Sequence, residues 1–384
     1  MRIAFYSPFA RHLDLDLARG GDPIFLHSLL AALGERGHTV EVMSRFNVHD
    51  LWRGSVPVRR LFSEALAIRE RVRRFNPDAW LIYEHSRTYP DLFGWWQQPK
   101  RYVLLSAHMW RSKRVPRHWR WLFDVAHRRA LIRADRVLAS RQTSAKRLLR
   151  RGISPERLSV LPPGVKIWPD MPSQLEARRS LGLTEGGMVI LSVSRFTGSK
   201  TEPTQRKTEM ILNVLAASDV LPRDARLVIV GDGPGRPLVE SEVASLGLQG
   251  RVRLAGAVPH DQLFYYYAAC DVYAYPLDLD IPRLSIMEAQ GCGRPVVAMR
   301  SDSAELTVDD GCTGLLANNL EEFRQALGAL AGDRPRREAM GLAARDYVAR
   351  FHSIEVRASQ IEAQLRGQAL APQARELVPG GSLP

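Results

Sequence analysis

Short apolar runs alternate with amphipathic stretches along almost the whole chain, and this alternation limits the fold more than any other feature. In the first half the apolar runs occupy residues 2–6, 39–43, 79–83, 102–106, 136–139 and 158–161. The intervening residues 24–35, 64–75 and 118–132 have the apolar spacing of helices. Parallel strands buried on both faces are continuous apolar runs, and helical crossovers connect them. The pattern therefore predicts an open, doubly wound α/β sheet.

The second half repeats this design after the Pro162-Pro163-Gly164 break. Its predicted strands are residues 188–193, 226–230, 251–254, 272–275 and 295–299, and its predicted helices are residues 208–217, 238–246, 260–269 and 284–291. We predict two Rossmann-like domains, residues 1–166 and 167–351, facing each other across a cleft. We expect residues 352–370 to form a C-terminal helix that packs back toward the first domain. The Pro- and Gly-containing residues 371–384 lack an apolar period and are expected to be disordered.

The net positive charge is confined to the first half of the chain. Residues 1–166 contain 31 Lys and Arg against 14 Asp and Glu, whereas the remainder contains 23 against 27. A basic surface indicates an anionic partner such as a phosphorylated substrate, a membrane surface or nucleic acid. We do not expect nucleic acid, because the sequence contains no recognised nucleic-acid-binding module.

Composition excludes several other classes of protein. With 45% hydrophobic and 25% charged residues, the chain is neither disordered nor a coiled coil as a whole. No apolar run is long enough to span a bilayer, and the N-terminus becomes polar too early for a signal peptide. The three cysteines, Cys270, Cys292 and Cys312, are widely spaced and fit neither a disulfide framework nor a metal site. These features predict a cytoplasmic protein.

The most informative segment is residues 275–291, in which Asp280 precedes Glu288 by eight positions. Asp280 lies in the loop after a predicted strand, and Glu288 lies within the helix that begins near Arg283. The N-terminus of such a helix directs free N–H groups toward the end of the sheet, where they can bind an anion. The two carboxylates can accept hydrogen bonds from sugar hydroxyls. Acidic pairs near helix starts are also common as caps, so the spacing alone leaves both interpretations open.

Together with motifs elsewhere, this segment resembles the E-x7-E signature of the retaining GT-B glycosyltransferases of the large family four type (glycosyl transferases group 1). Matching segments lie in family order from the N-terminus onward: Gly20-Gly21, residues 37–40, 134–140, 160–165, 192–196, 230–234 and 252–256. The resemblance covers about residues 1–350. It implies a GT-B fold with an acceptor-side N-terminal domain and a C-terminal nucleotide-sugar donor domain.

The resemblance also implies an activity and a set of site residues. Such enzymes transfer a sugar from a nucleoside diphosphate donor to an acceptor hydroxyl with retention at the anomeric carbon, and they need neither a metal nor a cofactor. The implied catalytic residues are Asp280, which would hold the donor-sugar hydroxyls, and His108, which would line the reaction centre. The implied donor-binding residues are Gly20, Gly21, Arg195, Lys207, Arg283, Leu284 and Glu288.

Within that set, Glu288 would hold the ribose hydroxyls, and Arg195 and Lys207 would bind the diphosphate. Lys200 lies in the same loop and is an alternative to Lys207. The sequence departs from the family pattern in two places. Asp280 is one methylene shorter than the usual glutamate, and the loop between Arg195 and Lys207 is longer than usual.

A cluster of tryptophan and basic residues in the first half suggests what the acceptor side contacts. Trp95, Trp96, Trp110, Trp119 and Trp121 occur close to Arg111, Lys113, Arg114, Arg117 and Arg120. This mixture suits an anionic membrane interface and a lipid-linked acceptor at the inner face of the cell membrane. A carbohydrate or another small-molecule acceptor is also compatible with the family. The alternative is that Trp119, with Phe123, Ala126 and Ala130, forms the core-facing stripe of an ordinary amphipathic helix.

Two other functions fit the same architecture. A nucleotide-sugar epimerase would convert the donor without an acceptor and without net release of nucleotide. A non-catalytic protein would bind the sugar nucleotide without transferring or hydrolysing it. The sequence does not identify the base or sugar of the donor, the acceptor, the linkage or the oligomeric state.

Overall fold

In the computed structural model, the described residues are 1–9, 13, 21–97, 99–109, 112–196, 206–277 and 283–368, with the backbone alone at positions 21, 22, 206, 207 and 209. They form two compact units. One contains Met1–Pro163 together with the chain from Ile354 onward, and the other is Gly164–Ser353.

The first unit is built on a parallel sheet whose four inner strands are almost entirely buried. Its described strands are β1 (Arg2–Tyr6), β2 (Thr39–Ser44), β3 (Ala79–Tyr83), β4 (Tyr102–Leu105), β5 (Arg136–Ala139) and β6 (Leu158–Val160), in the order β2-β1-β3-β4-β5-β6. The helices before the domain boundary are α1 (Gly21–Glu35), α2 (Val48–Trp52), α3 (Arg59–Phe75), α4 (Arg117–Arg133) and α5 (Gln142–Leu149). Burial on both faces explains why these strands are continuous apolar runs.

The second unit contains another parallel sheet, in the order β12-β11-β10-β7-β8-β9. Its described strands are β7 (Val189–Val193), β8 (Arg226–Val230), β9 (Val252–Gly256), β10 (Val272–Tyr275), β11 (Val296–Met299) and β12 (Gly314–Ala317). Its described helices are α6 (Gln174–Ser180), α7 (Arg206–Ala216), α8 (Arg236–Ser245), α9 (Leu263–Ala269), α10 (Leu284–Gly291), α11 (Asp302–Glu305), α12 (Leu320–Gly332) and α13 (Arg334–Phe351). Counted from β7, this is the doubly wound order in which the first and fourth strands are neighbours.

The predicted fold class is confirmed, because each half of the chain forms a parallel sheet of six described strands with helical crossovers. Strand β12 and helices α2, α5, α6, α11 and α12 were not among the predicted elements. No helix in the described part of the chain is both long enough and apolar enough to cross a membrane.

The last described helix, α14 (Ile354–Leu365), belongs to the first unit and packs against α1. Glu362 anchors it, since its carboxylate lies 2.6 Å from the guanidinium of Arg36 and 2.9 Å from that of Arg366. Burial alone would raise the pKa of Glu362, but the hydrogen bonds from Arg36 and Arg366 outweigh it and lower the pKa to about 2. The ion cluster therefore links the end of α1 to a helix more than 300 residues later in the chain.

This cluster predicts a pH-dependent contribution to stability. Replacing Glu362 with glutamine should lower the unfolding free energy by roughly 1–2 kcal/mol at pH 7. Because the folded-state pKa of Glu362 lies below its ordinary value of 4.5, the stabilisation is complete above that pH and is lost as the pH falls toward about 2. Urea unfolding of both proteins between pH 7 and pH 3 measures the difference, which should shrink as the pH falls.

Glu355→Gln is the matched control. Glu355 lies exposed on the same helix and has no ion pair among the described residues, so its replacement should change stability little at any pH. An equal effect of the two substitutions would show that the charge of α14, and not its pairing with Arg36 and Arg366, matters for stability.

Candidate active site

The carboxyl ends of β7 and β10 form the topological switch point of the second sheet. These two strands are hydrogen-bonded neighbours, but the chain continues from β7 to β8 on one side and from β10 to β11 on the other. Ligands of open α/β sheets bind in the crevice that such a divergence leaves. Several of the predicted donor-site residues lie at this edge.

Arg195 follows β7 and is held there by its backbone neighbours. The N–H of Ser194 donates to the Val230 carbonyl at 2.9 Å, and the N–H of Phe196 donates to the Asp232 carbonyl at 3.0 Å. The side chain of Arg195 between them is exposed. The structure therefore places a solvent-facing cation at the switch point on a backbone that is fixed on both sides.

Glycines after β8 allow this close packing of two backbone segments. Gly231 and Gly233 have φ values of 137° and 146°, which side-chain-bearing residues rarely adopt. A Cβ atom on Gly231 would collide with the carbonyl oxygen of Ser194, and one on Gly233 would collide with that of Phe196. The Gly-Asp-Gly sequence is thus required sterically by the segment that carries Arg195.

Helix α7 links the glycine loop to the segment that follows β10. Thr208, in the first turn of α7, is buried, and a Cβ atom on Gly235 would collide with its side chain. One and a half turns later, the Asn213 side chain donates to the Pro276 carbonyl at 3.3 Å. Lys207 is the second residue of α7, but its side chain lies outside the described part, as does Lys200. The start of α7 is therefore at the switch point, whereas the choice between the two lysines stays open.

Arg283 caps the start of α10 at the same edge. Its guanidinium carbon lies 5.3 Å from the centre of the Tyr275 ring, and its buried Nε and Nη2 atoms have no hydrogen-bond partner among the described residues. It lines a small cleft together with Ser301 and Thr307, among other residues. Leu284 begins α10, whereas Asp280 lies outside the described residues. The N–H groups in the first turn of α10 and the guanidinium of Arg283 provide a positive site for an anion.

Glu288 lies one turn into α10 with only 5% of its surface exposed. His260 Nε2 is 2.8 Å from Oε1, and the Tyr267 hydroxyl donates to Oε2 at 2.8 Å. Burial, followed by the nearby Glu288 carboxylate, raises the pKa of Tyr267 well above its ordinary value. The phenol therefore keeps its proton and remains a donor to this carboxylate. His260 and Tyr267 were not among the site residues predicted from the sequence.

His108 follows β4 in the first unit. Its backbone N–H donates to the His85 carbonyl at 3.0 Å. Glu84 and Ser106, which follow β3 and β4, have left-handed φ values of 61° and 57°. Such strained residues are concentrated at functional sites. Burial, assisted by Arg141 and His85, lowers the pKa of His108 to about 3. The imidazole of His108 is consequently neutral at pH 7.

The remaining predicted residues in the first unit are the two glycines near its N-terminus. Gly20 lies outside the described residues, and Gly21 is the first residue of α1. Across the described residues of both units, no group of three or more His, Cys, Asp or Glu side chains is arranged to hold a metal ion. The groups gathered at the edge of the second sheet are suited to an anionic ligand that also carries hydroxyl groups.

Two family models match the chain, one in each half. Residues 19–167 match Glycosyltransferase Family 4, and residues 189–333 match Glycosyl transferases group 1. The D-inositol 3-phosphate glycosyltransferase of Nocardia farcinica is 32% identical over 241 residues, which are 59% of this chain and 52% of that protein. The GDP-mannose-dependent alpha-(1-6)-phosphatidylinositol monomannoside mannosyltransferase of Mycolicibacterium smegmatis is 31% identical over 229 residues, 56% of this chain and 58% of that protein.

These matches span little more than half of the length of those relatives, but likeness in fold extends over nearly the whole chain. The structure of HepE from Anabaena in complex with UDP has a TM-score of 0.71 at 19% identity and covers 96% of this chain and 100% of that one. The lipopolysaccharide glycosyltransferase WaaG has a TM-score of 0.61 at 18% identity, with coverage of 94% and 99%. With a family model matching each half in order and GT-B enzymes as structural neighbours, the chain belongs to the group 1, family 4 glycosyltransferases of GT-B fold.

Proposed function

We propose that the protein is a retaining, metal-independent glycosyltransferase that moves a sugar from a nucleoside diphosphate donor to an acceptor hydroxyl. The observation that carries the proposal is the switch point of the second sheet. An exposed Arg195, the N-terminus of α10 and the buried Glu288 carboxylate are grouped there. A nucleoside diphosphate sugar contains the two kinds of group that they match, a pyrophosphate and vicinal hydroxyls.

The proposed chemistry centres on the departure of the nucleoside diphosphate. Negative charge develops on the leaving oxygen as the bond to the sugar breaks, and fixed cations with amide dipoles stabilise it. Arg195 and Lys207 supply the cations, and the N–H groups of Arg283 and Leu284 supply the dipoles. In this scheme Asp280 holds the donor sugar and Glu288 holds the ribose.

On the acceptor side, Gly20 and Gly21 let the backbone approach the diphosphate. His108 then lines the reaction centre as a neutral imidazole, which can accept or donate a hydrogen bond without adding a positive charge. We assign it no covalent step.

The acceptor that we propose carries a phosphate group. The names of the two relatives above specify D-inositol 3-phosphate and phosphatidylinositol monomannoside, and both of those acceptors are anionic. Positions 1–166 contain 31 basic and 14 acidic residues, and this net positive charge favours such an acceptor. The donors in the names of relatives differ, since one is GDP-mannose dependent and HepE was solved with UDP-glucose. The base of the donor is therefore a matter for direct measurement.

We further propose that the first unit binds an anionic membrane surface, where a lipid-linked acceptor resides. Only part of the tryptophan cluster can contact a membrane. Trp95 and Trp119 pack against the hydrophobic core, whereas Trp121 is 74% exposed. Trp110 lies outside the described residues. The core-stripe interpretation thus describes the inner face of α4, with Phe123, Ala126 and Ala130 buried.

Helix α3 presents a second exposed apolar surface. Phe62 and Leu66 are 66% and 68% exposed and lie four residues apart, so they share one side of the helix, and Val58 just before the helix is 49% exposed. Helices α3 and α4 contribute buried residues to the same core cluster and cover the same face of the first sheet. Six arginines against two glutamates on α3, and five arginines against one aspartate on α4, accompany this surface. Exposed apolar side chains among basic residues favour anionic lipid.

Substitutions at the switch point test the transfer reaction. We expect Arg195→Ala and Glu288→Ala each to reduce kcat/KM for transfer roughly a hundredfold or more, because each removes a group that contacts the donor. A thermal-shift screen of nucleotide sugars first identifies the donor, and transfer is then measured by product analysis. Proton NMR of the product should show the same anomeric configuration as the donor.

Arg223→Ala is the matched control, since Arg223 is exposed just before the amino end of β8, at the opposite edge of the sheet. This variant should retain full activity. Inversion at the anomeric carbon would contradict the retaining mechanism. Donor conversion without nucleotide release would indicate an epimerase, and binding with neither transfer nor hydrolysis would indicate a non-catalytic protein.

Vesicle binding tests the membrane surface. The protein should cosediment with vesicles containing phosphatidylglycerol at low salt and be released at high salt, because the attraction is electrostatic. Replacing Phe62 and Leu66 with aspartate should weaken vesicle binding by about tenfold or more, since it removes two apolar contacts and adds negative charge. Leu342→Asp, at a 73% exposed position of α13 in the second unit, is the control. Equal weakening by the control, or no binding at low salt, would exclude this surface.

A further inference from the structure

The Glu288 carboxylate is held by two side chains from a different part of the chain. His260 lies in the turn after β9, and Tyr267 lies on α9, which are 28 and 21 residues before Glu288. Both donor–acceptor distances are 2.8 Å, and each donor uses a different carboxylate oxygen. Because an ionised carboxylate can only accept hydrogen bonds, the hydrogen of the His260 imidazole lies on Nε2.

This arrangement leaves hydrogen-bonding capacity on both oxygens of Glu288. An ionised carboxylate has about four lone-pair sites, and the two protein donors occupy one on each oxygen. One further site per oxygen remains, which is the number needed for two neighbouring hydroxyls. Tyr267 is fully buried, whereas the His260 side chain is 28% exposed. The buried carboxylate is therefore linked to solvent through His260.

We infer that His260 is a positioning residue for nucleoside recognition, which together with the Tyr267 hydroxyl orients the Glu288 carboxylate to accept both ribose hydroxyls. The inference rests on the proposed function and extends it to two residues that the donor-site motif does not contain. It also specifies the chemical class that the site selects, a ribonucleotide in preference to a 2′-deoxyribonucleotide.

The surroundings of His260 suit this role. Its ring centre lies 5.9 Å from that of Trp168, and Trp168 is in turn 6.0 Å from Phe264, so the imidazole is supported by an aromatic group. Charge-assisted hydrogen bonds are stronger than neutral ones and are directional. With one of them removed, the Glu288 side chain can turn about its terminal torsion and lose its alignment with two hydroxyls at once.

A comparison of ribonucleotides with deoxyribonucleotides tests the inference. Calorimetry measures binding of UDP, GDP and ADP and of their 2′-deoxy forms to the wild-type protein, to His260→Ala and to His260→Gln. For the base that binds best, the wild type should prefer the ribonucleotide by about tenfold or more. His260→Ala should lose most of that preference by weakening ribonucleotide binding alone. His260→Gln should keep it, because the glutamine amide N–H reaches about as far as Nε2.

A second variant gives an independent test. Tyr267→Phe keeps the buried ring and removes only the hydroxyl, so it should reduce the same preference. In donor kinetics, all of the effect should lie in KM, because the ribose contact is equal in the ground state and the transition state.

The outcomes separate the inference from the proposed function. If His260→Ala weakens the binding of ribo- and deoxyribonucleotides equally, or weakens the binding of neither, His260 has no positioning role and the inference is overturned. A wild type that binds nucleotides without a ribose preference overturns it as well, while leaving glycosyl transfer intact. A wild type that binds none of the nucleoside diphosphates overturns the proposed function itself.

Discussion

The contact between the backbone after β7 and the glycine loop after β8 is the constraint on which the candidate site depends. Hydrogen bonds from Ser194 and Phe196 to the second segment fix the backbone on either side of Arg195. The contact exists only because Gly231 and Gly233 lack a Cβ. A long arginine side chain can bind an anion in a defined place only when its own backbone is fixed. The sheet order then sets where that place is, between strands that diverge.

Buried polar groups are accommodated in two different ways. In the second unit, the Glu288 carboxylate is buried with a donor on each oxygen, which offsets the cost of removing it from water. In the first unit, the buried histidines avoid that cost by staying neutral, since burial lowers the pKa of His85 to about 4 and that of His108 to about 3. The positive charge of the first unit therefore lies on exposed helices such as α3 and not on the histidines at its strand ends.

Strand positions could be predicted from the sequence because buried parallel strands such as Ala79–Tyr83 are uninterrupted apolar runs. Strand β12 (Gly314–Ala317) was missed, since it begins with glycine and follows a turn. The composition of this segment also did not distinguish Trp119, which packs against the core, from Trp121, which is exposed. They are two residues apart on α4 and so point in different directions, one packed against the core and the other exposed. Helical periodicity contains that information, whereas a count of tryptophans near arginines does not.

Prediction from the sequence was limited in the same way for the residues of the candidate site. Spacing identified Glu288, but its partners His260 and Tyr267 could not be found by spacing, because the packing of α9 against α10 brings them together. Net charge was equally uninformative here. The residues after position 166 contain more acidic than basic side chains, yet Arg195, Arg283 and the start of α10 make one edge of this unit positive. An anion responds to the few charges within about a Debye length of it, so their placement at the switch point determines binding and the total charge of the domain does not.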